Sequence, residues 1–242
     1  MTDLIQEQFV SHLQPHQLSF SDEQLQQFET YYRLLVEWNE KINLTAITER
    51  DQVYLKHFYD SLSLAFYVDM EKVETLADIG SGAGFPSIPL KIAFPHLKVT
   101  IVDSLNKRIV FLNELVKELG LTDVTCVHAR AEDAARLQQH RDRYDLVTAR
   151  AVARLSVLNE FCLPFVKVGG LFVAMKAVDA EEEMKEAAFS IGLLKGQLKQ
   201  VDRLELPVEK SVRHFIQIQK TAPTPGKYPR KAGLPLKQPL VK

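Results

Sequence analysis

Residues 78–85 read D-I-G-S-G-A-G-F and gather three of the chain's 10 glycines into five positions. Glycine carries no Cβ, so alternating glycines let the main chain come close to a ligand. The run follows the short apolar stretch T-L-A-D-I-G (75–80) and leads into F-P-S-I-P-L, where a first strand turns into a first helix. In a parallel α/β sheet that turn lies at the carboxyl edge, where backbone donors and a helix amino terminus face a crevice. Three ligands are served by such a loop: a dinucleotide, a nucleotide phosphate and S-adenosylmethionine.

Register separates them. A dinucleotide fingerprint G-x-G-x-x-G started at Gly80 needs glycine where Phe85 stands, and started at Gly82 it needs glycine at Ser87. The phosphate loop G-x-x-x-x-G-K-[ST] also fails, because no Gly-Lys pair follows. What remains is D-x-G-x-G-x-G-F, with Asp78 two residues before Gly80. Such a loop suits the zwitterionic methionine part of S-adenosylmethionine, with main chain at Gly80, Gly82 and Gly84 and Asp78 acting on the ammonium directly or through water. Asp103 ends V-T-I-V-D about 20 residues later, the distance expected of a ribose-binding carboxylate. Ala131-Glu132 follows a third strand and can flank an adenine. Arg130 and Arg150 close the third and fourth strands and can orient substrate, meeting a cofactor carboxylate or an RNA phosphate. Structural roles stay open for each: a satisfied buried Asp78, a helix-start charge at Glu132, ion pairs at the two arginines.

The fourth strand, D-L-V-T-A-R-A-V-A, lacks the Asn/Asp-Pro-Pro-aromatic turn that positions an exocyclic amine. Neither Cys126 nor Cys162 sits as a nucleophile for attack on a cytosine ring. An acceptor needing no deprotonation fits these absences. Guanine N7 is one, since its in-plane lone pair requires only in-line alignment.

The positioning elements can be read around these residues. Residues 1–70 form an N-terminal helical region, with Leu25, Phe28, Tyr32, Leu35 and Val36 at helical spacing after Ser21 and a second helical run over about 51–67. Residues 71–221 alternate strands at 75–80, 96–103, 124–130, 144–151 and 169–176 with helices, the last helix spanning 179–192. Two further strands, 198–207 and 213–220, follow without an intervening helix. The pattern predicts an α/β, Rossmann-like sheet of seven strands, mostly parallel with an antiparallel edge hairpin, which is the class I S-adenosylmethionine-dependent methyltransferase arrangement. Residues 222–242 hold five of the chain's 11 prolines and read as an extended basic arm.

Composition sets the remaining bounds. At 46% hydrophobic and 25% charged, the 242 residues are ordinary for a soluble protein. No apolar run is long enough to span a bilayer, the amino terminus lacks a secretory signal, and two cysteines in apolar runs read as reduced buried thiols, so a cytoplasmic monomer is expected. The histidines show no metal-ligand spacing, and no metal is expected. A net charge of −1 conceals six basic and no acidic residues from Lys220 to Lys242, which suggests a polyanionic partner.

Several stretches together resemble the ribosomal RNA small subunit methyltransferase G family, also called glucose-inhibited division protein B. They are N-L-T-A-I (43–47), H-F-Y-D-S-L (57–62), D-I-G-S-G-A-G-F-P-S-I-P-L (78–90), D-S-L-N-K-R (103–108), R-A-E (130–132), V-T-A-R-A-V-A (147–153) and Y-P-R-K-A-G-L-P-L-K-Q-P-L (228–240). The resemblance implies S-adenosylmethionine-dependent methylation of guanine N7 in 16S ribosomal RNA, free or in the small ribosomal subunit. It implies cofactor contacts at Gly80, Phe85, Ala131, Glu132 and Arg150. Lys107, Arg108, Lys227, Arg230 and Lys231 are the expected RNA contacts, the last three on an arm that can lie along a phosphate backbone. The chain departs from the family at Ser87, where glycine is common. Two rival readings are a non-catalytic RNA-binding or ribosome-assembly protein on the same fold and an NAD-dependent oxidoreductase.

Overall fold

Ser21 opens the longest helix with a capping box: its hydroxyl accepts the Gln24 N–H at 3.2 Å while the Gln24 side chain accepts the Ser21 N–H at 2.8 Å. The computed structural model describes residues 3–177 and 180–242. Helix α1 spans Leu4–Leu13 and α2 spans Asp22–Ile42. Then α3 (Arg50–Val53) runs through a π-helical turn, Tyr54–Tyr59, into α4 (Asp60–Leu62). A π turn inserts a residue into the helical ladder and rotates the side chains beyond it, a device common at functional sites. Here it aims His57 and Asp60 toward the sheet.

The α/β part follows in order: β1 (Thr75–Ile79), α5 (Ser87–Ala93), β2 (Lys98–Asp103), α6 (Asn106–Glu118), β3 (Val124–His128) and α7 (Ala131–Ala134). It continues with β4 (Tyr144–Arg150), α8 (Leu155–Cys162), β5 (Val166–Lys176), α9 (Ala180–Leu193), β6 (Gly196–Glu205), β7 (Val212–Lys220) and α10 (Leu234–Lys237). The helix expected over 179–192 is α9; its expected first residue, Asp179, lies outside the described residues.

The seven strands take the order β3-β2-β1-β4-β5-β7-β6. Strands β1 to β5 run parallel to one another, and β7 pairs antiparallel with both β5 and β6. The expected mostly parallel sheet with an antiparallel edge is therefore present. The chain reverses its direction of travel between β1 and β4, so the ligand crevice of such a sheet opens at their carboxyl ends.

Period-two alternation sorts the strand residues onto two faces. Leu76, Val99, Ile101, Leu146 and Val173 pack with α1, α2, α5 and α6 in one buried cluster. Ala77, Val102, Val147, Phe172 and Ile218 pack with α8, α9 and Tyr228 of the C-terminal arm in the other. Both faces are covered, as near-continuous apolar strands require.

Two sequence expectations are corrected by this packing. On α2 the buried positions are Phe28, Tyr31 and Leu35, so the core takes Tyr31 and leaves Tyr32 half-buried. The C-terminal arm is not free: Tyr228 and Pro229 are buried, and Arg141 donates to the carbonyls of Thr224 and Tyr228 at 2.8 and 2.9 Å. Lys220 is buried as well, its ammonium bonded to Asp142 and the Leu163 carbonyl. Apart from the short α10 the arm's described residues form no helix or strand, and neighbouring arginines supply the donors that hold its carbonyls.

Candidate functional site

Gly80, Gly82 and Gly84 have φ of +75°, +64° and +100°. Their surroundings differ. A Cβ on Gly84 would lie 2.8 Å from both Ile88 Cγ1 and the Tyr31 hydroxyl, whereas one on Gly82 would meet nothing within 4 Å. Gly84 is therefore required by packing, and Gly82 borders open space that a ligand can fill. Gly84→Ala is expected to cost about 2–3 kcal/mol of stability, Gly82→Ala about 1 kcal/mol. Urea unfolding with and without S-adenosylhomocysteine checks the contrast, since only the Gly82 variant should stay folded yet lose the ligand's stabilisation. Equal stability losses with unaltered ligand binding would remove Gly82 from the cradle.

Beneath the loop Asp78 is fully buried. Its Oδ2 accepts the Ser81 hydroxyl at 2.6 Å and the Ser87 N–H at 3.2 Å, while Oδ1 has no partner among the described residues. Burial outweighs those bonds and pushes the carboxyl up to about 6. Ser87, the departure from the family, keeps an ordinary negative φ and adds its N–H to this network.

Asp103 is 2% exposed at the end of β2. One oxygen accepts the Leu105 N–H at 2.9 Å; the other accepts the Gly82 N–H at 3.1 Å and faces Arg108 at 3.3 Å. The second-strand carboxylate thus touches the glycine loop, and Arg108, expected at RNA, turns toward Asp103. Lys107, one residue earlier, is exposed.

Phe85 does not project freely from the loop. Its ring stacks on Tyr31 at 5.2 Å and on His57 at 4.6 Å, with the Arg150 guanidinium 4.9 Å above it. The Tyr31 hydroxyl donates to the Ala83 carbonyl at 2.6 Å, and burial raises its pKa, so it stays a donor. Burial, then the Arg150 charge, pushes His57 down to about 3, so the imidazole is neutral at ordinary pH. Arg150 donates to Asp60 Oδ2 at 2.9 Å, and Arg213 donates to Asp60 Oδ1 at 3.0 Å. Arg150 therefore makes an ion pair with Asp60 while also lining the space beside it.

His57, Asp60, Arg150 and Arg213 line a cavity of about 420 Å³ at the carboxyl ends of β4 and β5, together with Lys56 and Lys176 among others. A larger cavity, about 800 Å³, lies between α9 and the arm and shares no lining residue with the one at β4 and β5. Its position sets it apart from the chemistry despite its size.

At the end of β3, Glu132 is 4% exposed and Ala131 half-buried. Glu132 Oε1 accepts the Gly233 N–H at 2.8 Å. Arg130 is exposed beside Gly233. On the arm, Lys227 lies over the Tyr228 ring at 5.2 Å, Lys231 is exposed, and Arg230, expected at RNA, pairs with the buried Glu160. The described residues include no cluster of metal ligands and no helix long and apolar enough to cross a membrane. Cys126 is half-buried rather than buried, Cys162 is buried, and both are free; burial pushes Cys126 up to about 11, far from a thiolate.

Sequence reasoning did not single out Tyr31, His57, Asp60 and Arg213. The i, i+3, i+7 spacing of Phe28, Tyr31 and Leu35 carried the first. His57 and Asp60 carried a signal only as part of H-F-Y-D-S-L, and Arg213 carried none.

The residues fit S-adenosylmethionine: an unpartnered buried carboxylate oxygen for a cation, an open glycine, and a second-strand carboxylate, all bonded to or part of one loop. A seven-stranded sheet with this loop defines a class I S-adenosylmethionine-dependent methyltransferase. Solved structures agree on the fold: a putative O-methyltransferase from Klebsiella pneumoniae matches at a TM-score of 0.56 with 13% identity, covering 88% of this chain and 96% of that one. A SAM-dependent O-methyltransferase from Thermotoga maritima matches at 0.51 with 16% identity, covering 79% and 72%. The family model described as rRNA small subunit methyltransferase G matches residues 24–215. Two proteins called ribosomal RNA small subunit methyltransferase G are close relatives. The one from Exiguobacterium sibiricum is 59% identical over 97% of this chain and 99% of its own length; the one from Staphylococcus carnosus is 58% identical over 98% and 99%. The chain belongs to the rRNA small subunit methyltransferase G family.

Proposed function

We propose that this chain methylates N7 of one guanosine in 16S ribosomal RNA, with the base held in the cavity at the ends of β4 and β5. The observation that carries this reading is the chemistry of that cavity. Both oxygens of its one carboxylate, Asp60, are already engaged by Arg150 and Arg213. Its imidazole, His57, is neutral and held at 2.8 Å from the Thr45 hydroxyl. Neither is a free base, so the cavity suits an acceptor whose lone pair is already available, as at guanine N7.

When bound, S-adenosylmethionine supplies an electrophilic sulfonium methyl. The chain's part is to align and exclude. Gly82 main chain and Asp78 hold the methionine end, Asp103 takes the ribose hydroxyls, and Ala131-Glu132 flanks the adenine. The Tyr31–Phe85–His57 stack and the Asp60 clamp form a rigid wall between loop and cavity, so that in-line geometry carries most of the acceleration. Lys107, Arg130 and Lys231 are exposed, have no ion pair among the described residues, and stand near the carboxyl edge of β2 and β3, as RNA-phosphate contacts would. The dinucleotide reading has no complete fingerprint to rest on.

The test is labelled-methyl transfer to small-subunit RNA from cells lacking the protein, followed by nucleoside analysis. The expected product is 7-methylguanosine. Label in another nucleoside would overturn the chemistry while leaving the fold untouched.

A further inference from the structure

Part of the basic arm is bonded into the body of the protein through Arg230 and Gly233. Glu160 on α8 is 0% exposed. Its carboxylate receives four bonds from one residue: the Arg230 main-chain N–H at 2.6 Å, Nε at 3.0 and 3.1 Å, and Nη2 at 2.7 Å. That arrangement fixes the Arg230 backbone as firmly as its side chain. Arg230 Nη2 also donates to the Gln238 carbonyl at 2.7 Å, closing the arm around α10. Arg136 and Arg141 hold the preceding turn through the carbonyls of Pro229 and Tyr228.

Three residues beyond Arg230, Gly233 turns at φ +84° and directs its N–H to Glu132 Oε1. This is the only side-chain hydrogen bond of Glu132 among the described residues. With Oε1 occupied by a main-chain donor, Oε2 is left to accept from a ligand.

We propose that the C-terminal arm is a wall of the methyl-donor pocket and that Arg230 is its positioning residue. By gripping Glu160 it places the Gly233 N–H that orients Glu132 toward the amine of the ligand's adenine. The inference rests on the placing of Ala131-Glu132 at the adenine under the proposed function. It gives the arm's charge a task inside the protein: the guanidinium is spent on Glu160, and exposed neighbours such as Lys231 remain for RNA.

The test is calorimetric binding of S-adenosylhomocysteine, and of its inosine analogue lacking the exocyclic amine, to the full chain. Arg230→Ala strands a buried carboxylate, so the paired Glu160→Gln/Arg230→Met variant, without a stranded charge, is measured beside it. Both are expected to raise the Kd for S-adenosylhomocysteine about tenfold and to shrink the preference for adenosine over inosine. Lys237→Ala, an exposed change on the same arm, should leave both affinities alone. If the paired variant unfolds cooperatively yet binds like wild type, or loses both ligands equally, the arm has no positioning role. Asp103→Asn separates the underlying reading: unchanged affinity there would overturn the placement of the donor site itself.

Discussion

Asp60→Ala is expected to destabilise the chain by about 3–5 kcal/mol, the range for stranding buried charge, and to slow methyl transfer by ~100-fold or more. Asp60 is 3% exposed and is the anion between Arg150 and Arg213. It ties together three parts of the chain distant in sequence: the helical stretch after the π turn, the end of β4 and the start of β7. Without it, two guanidinium groups that are mostly buried face one cavity with no counter-charge. Arg150 would then leave the face of Phe85, and the wall between the glycine loop and the cavity would lose its register. A misplacement of about 1 Å in such a wall is enough for a hundredfold loss of rate. Arg213→Met is the control, since Asp60 keeps Arg150; its expected cost is about 1–2 kcal/mol. Urea unfolding measures the stabilities, and labelled-methyl transfer well below the unfolding transition measures the rate. A folded Asp60→Ala protein transferring methyl at the wild-type rate would show the clamp to be scaffolding alone.

The sheet was legible because its demands are local. Strands such as T-L-A-D-I and K-V-T-I-V-D alternate with amphipathic helices, and seven strands with a closing hairpin followed from that period. The glycine loop was legible for the same reason: a positive φ at three alternate positions needs glycine wherever the chain goes next. Asp103 at the loop was predictable from strand order, and the structure bonds it to Gly82. What escaped were the contacts set by rotation and by distant partners. Helical spacing admits either Tyr31 or Tyr32 beside Phe28 and Leu35; the structure buries Tyr31, whose hydroxyl meets the Ala83 carbonyl 52 positions away. The Asp60–Arg213 pair spans 153 positions, and no local pattern predicts it. The arm failed differently. Its charge and prolines are plain in the sequence, but a charge run does not disclose its counter-charge. Lys220 and Arg230 find theirs inside the protein, at Asp142 and Glu160.

Asp78→Asn is expected to make the protein more stable and a worse binder of its cofactor. The Asp78 carboxyl is raised from 3.8 to about 6 by burial, the Ser81 and Ser87 hydrogen bonds and then the Arg150 charge pulling the other way without prevailing. Between about pH 4 and 6 the folded chain therefore holds this proton more tightly than the unfolded chain. Stability falls as pH rises through that window and is level above it. Two pKa steps correspond to roughly 3 kcal/mol of destabilisation in the ionised protein. Asparagine keeps an acceptor for Ser81 and Ser87 and removes the charge, but leaves an amide where Oδ1 finds no partner. The variant should gain about 1–2 kcal/mol at pH 8 and lose about 1 kcal/mol at pH 4, where the wild-type carboxyl is already neutral. Binding should move in the opposite direction. A ligand ammonium beside Asp78 favours the carboxylate, so wild-type affinity for S-adenosylhomocysteine should hold from pH 8 to about 6 and then fall toward tenfold per pH unit. The asparagine variant should bind about 10–100-fold more weakly at pH 8 and lose that pH dependence. Thermal melts and calorimetry across this range read both effects on the same samples. Wild-type affinity that stays flat down to pH 5, or an asparagine variant that binds normally, would place the ligand's ammonium elsewhere. The buried charge at the foot of the glycine loop would then be a cost to the fold with no return in binding.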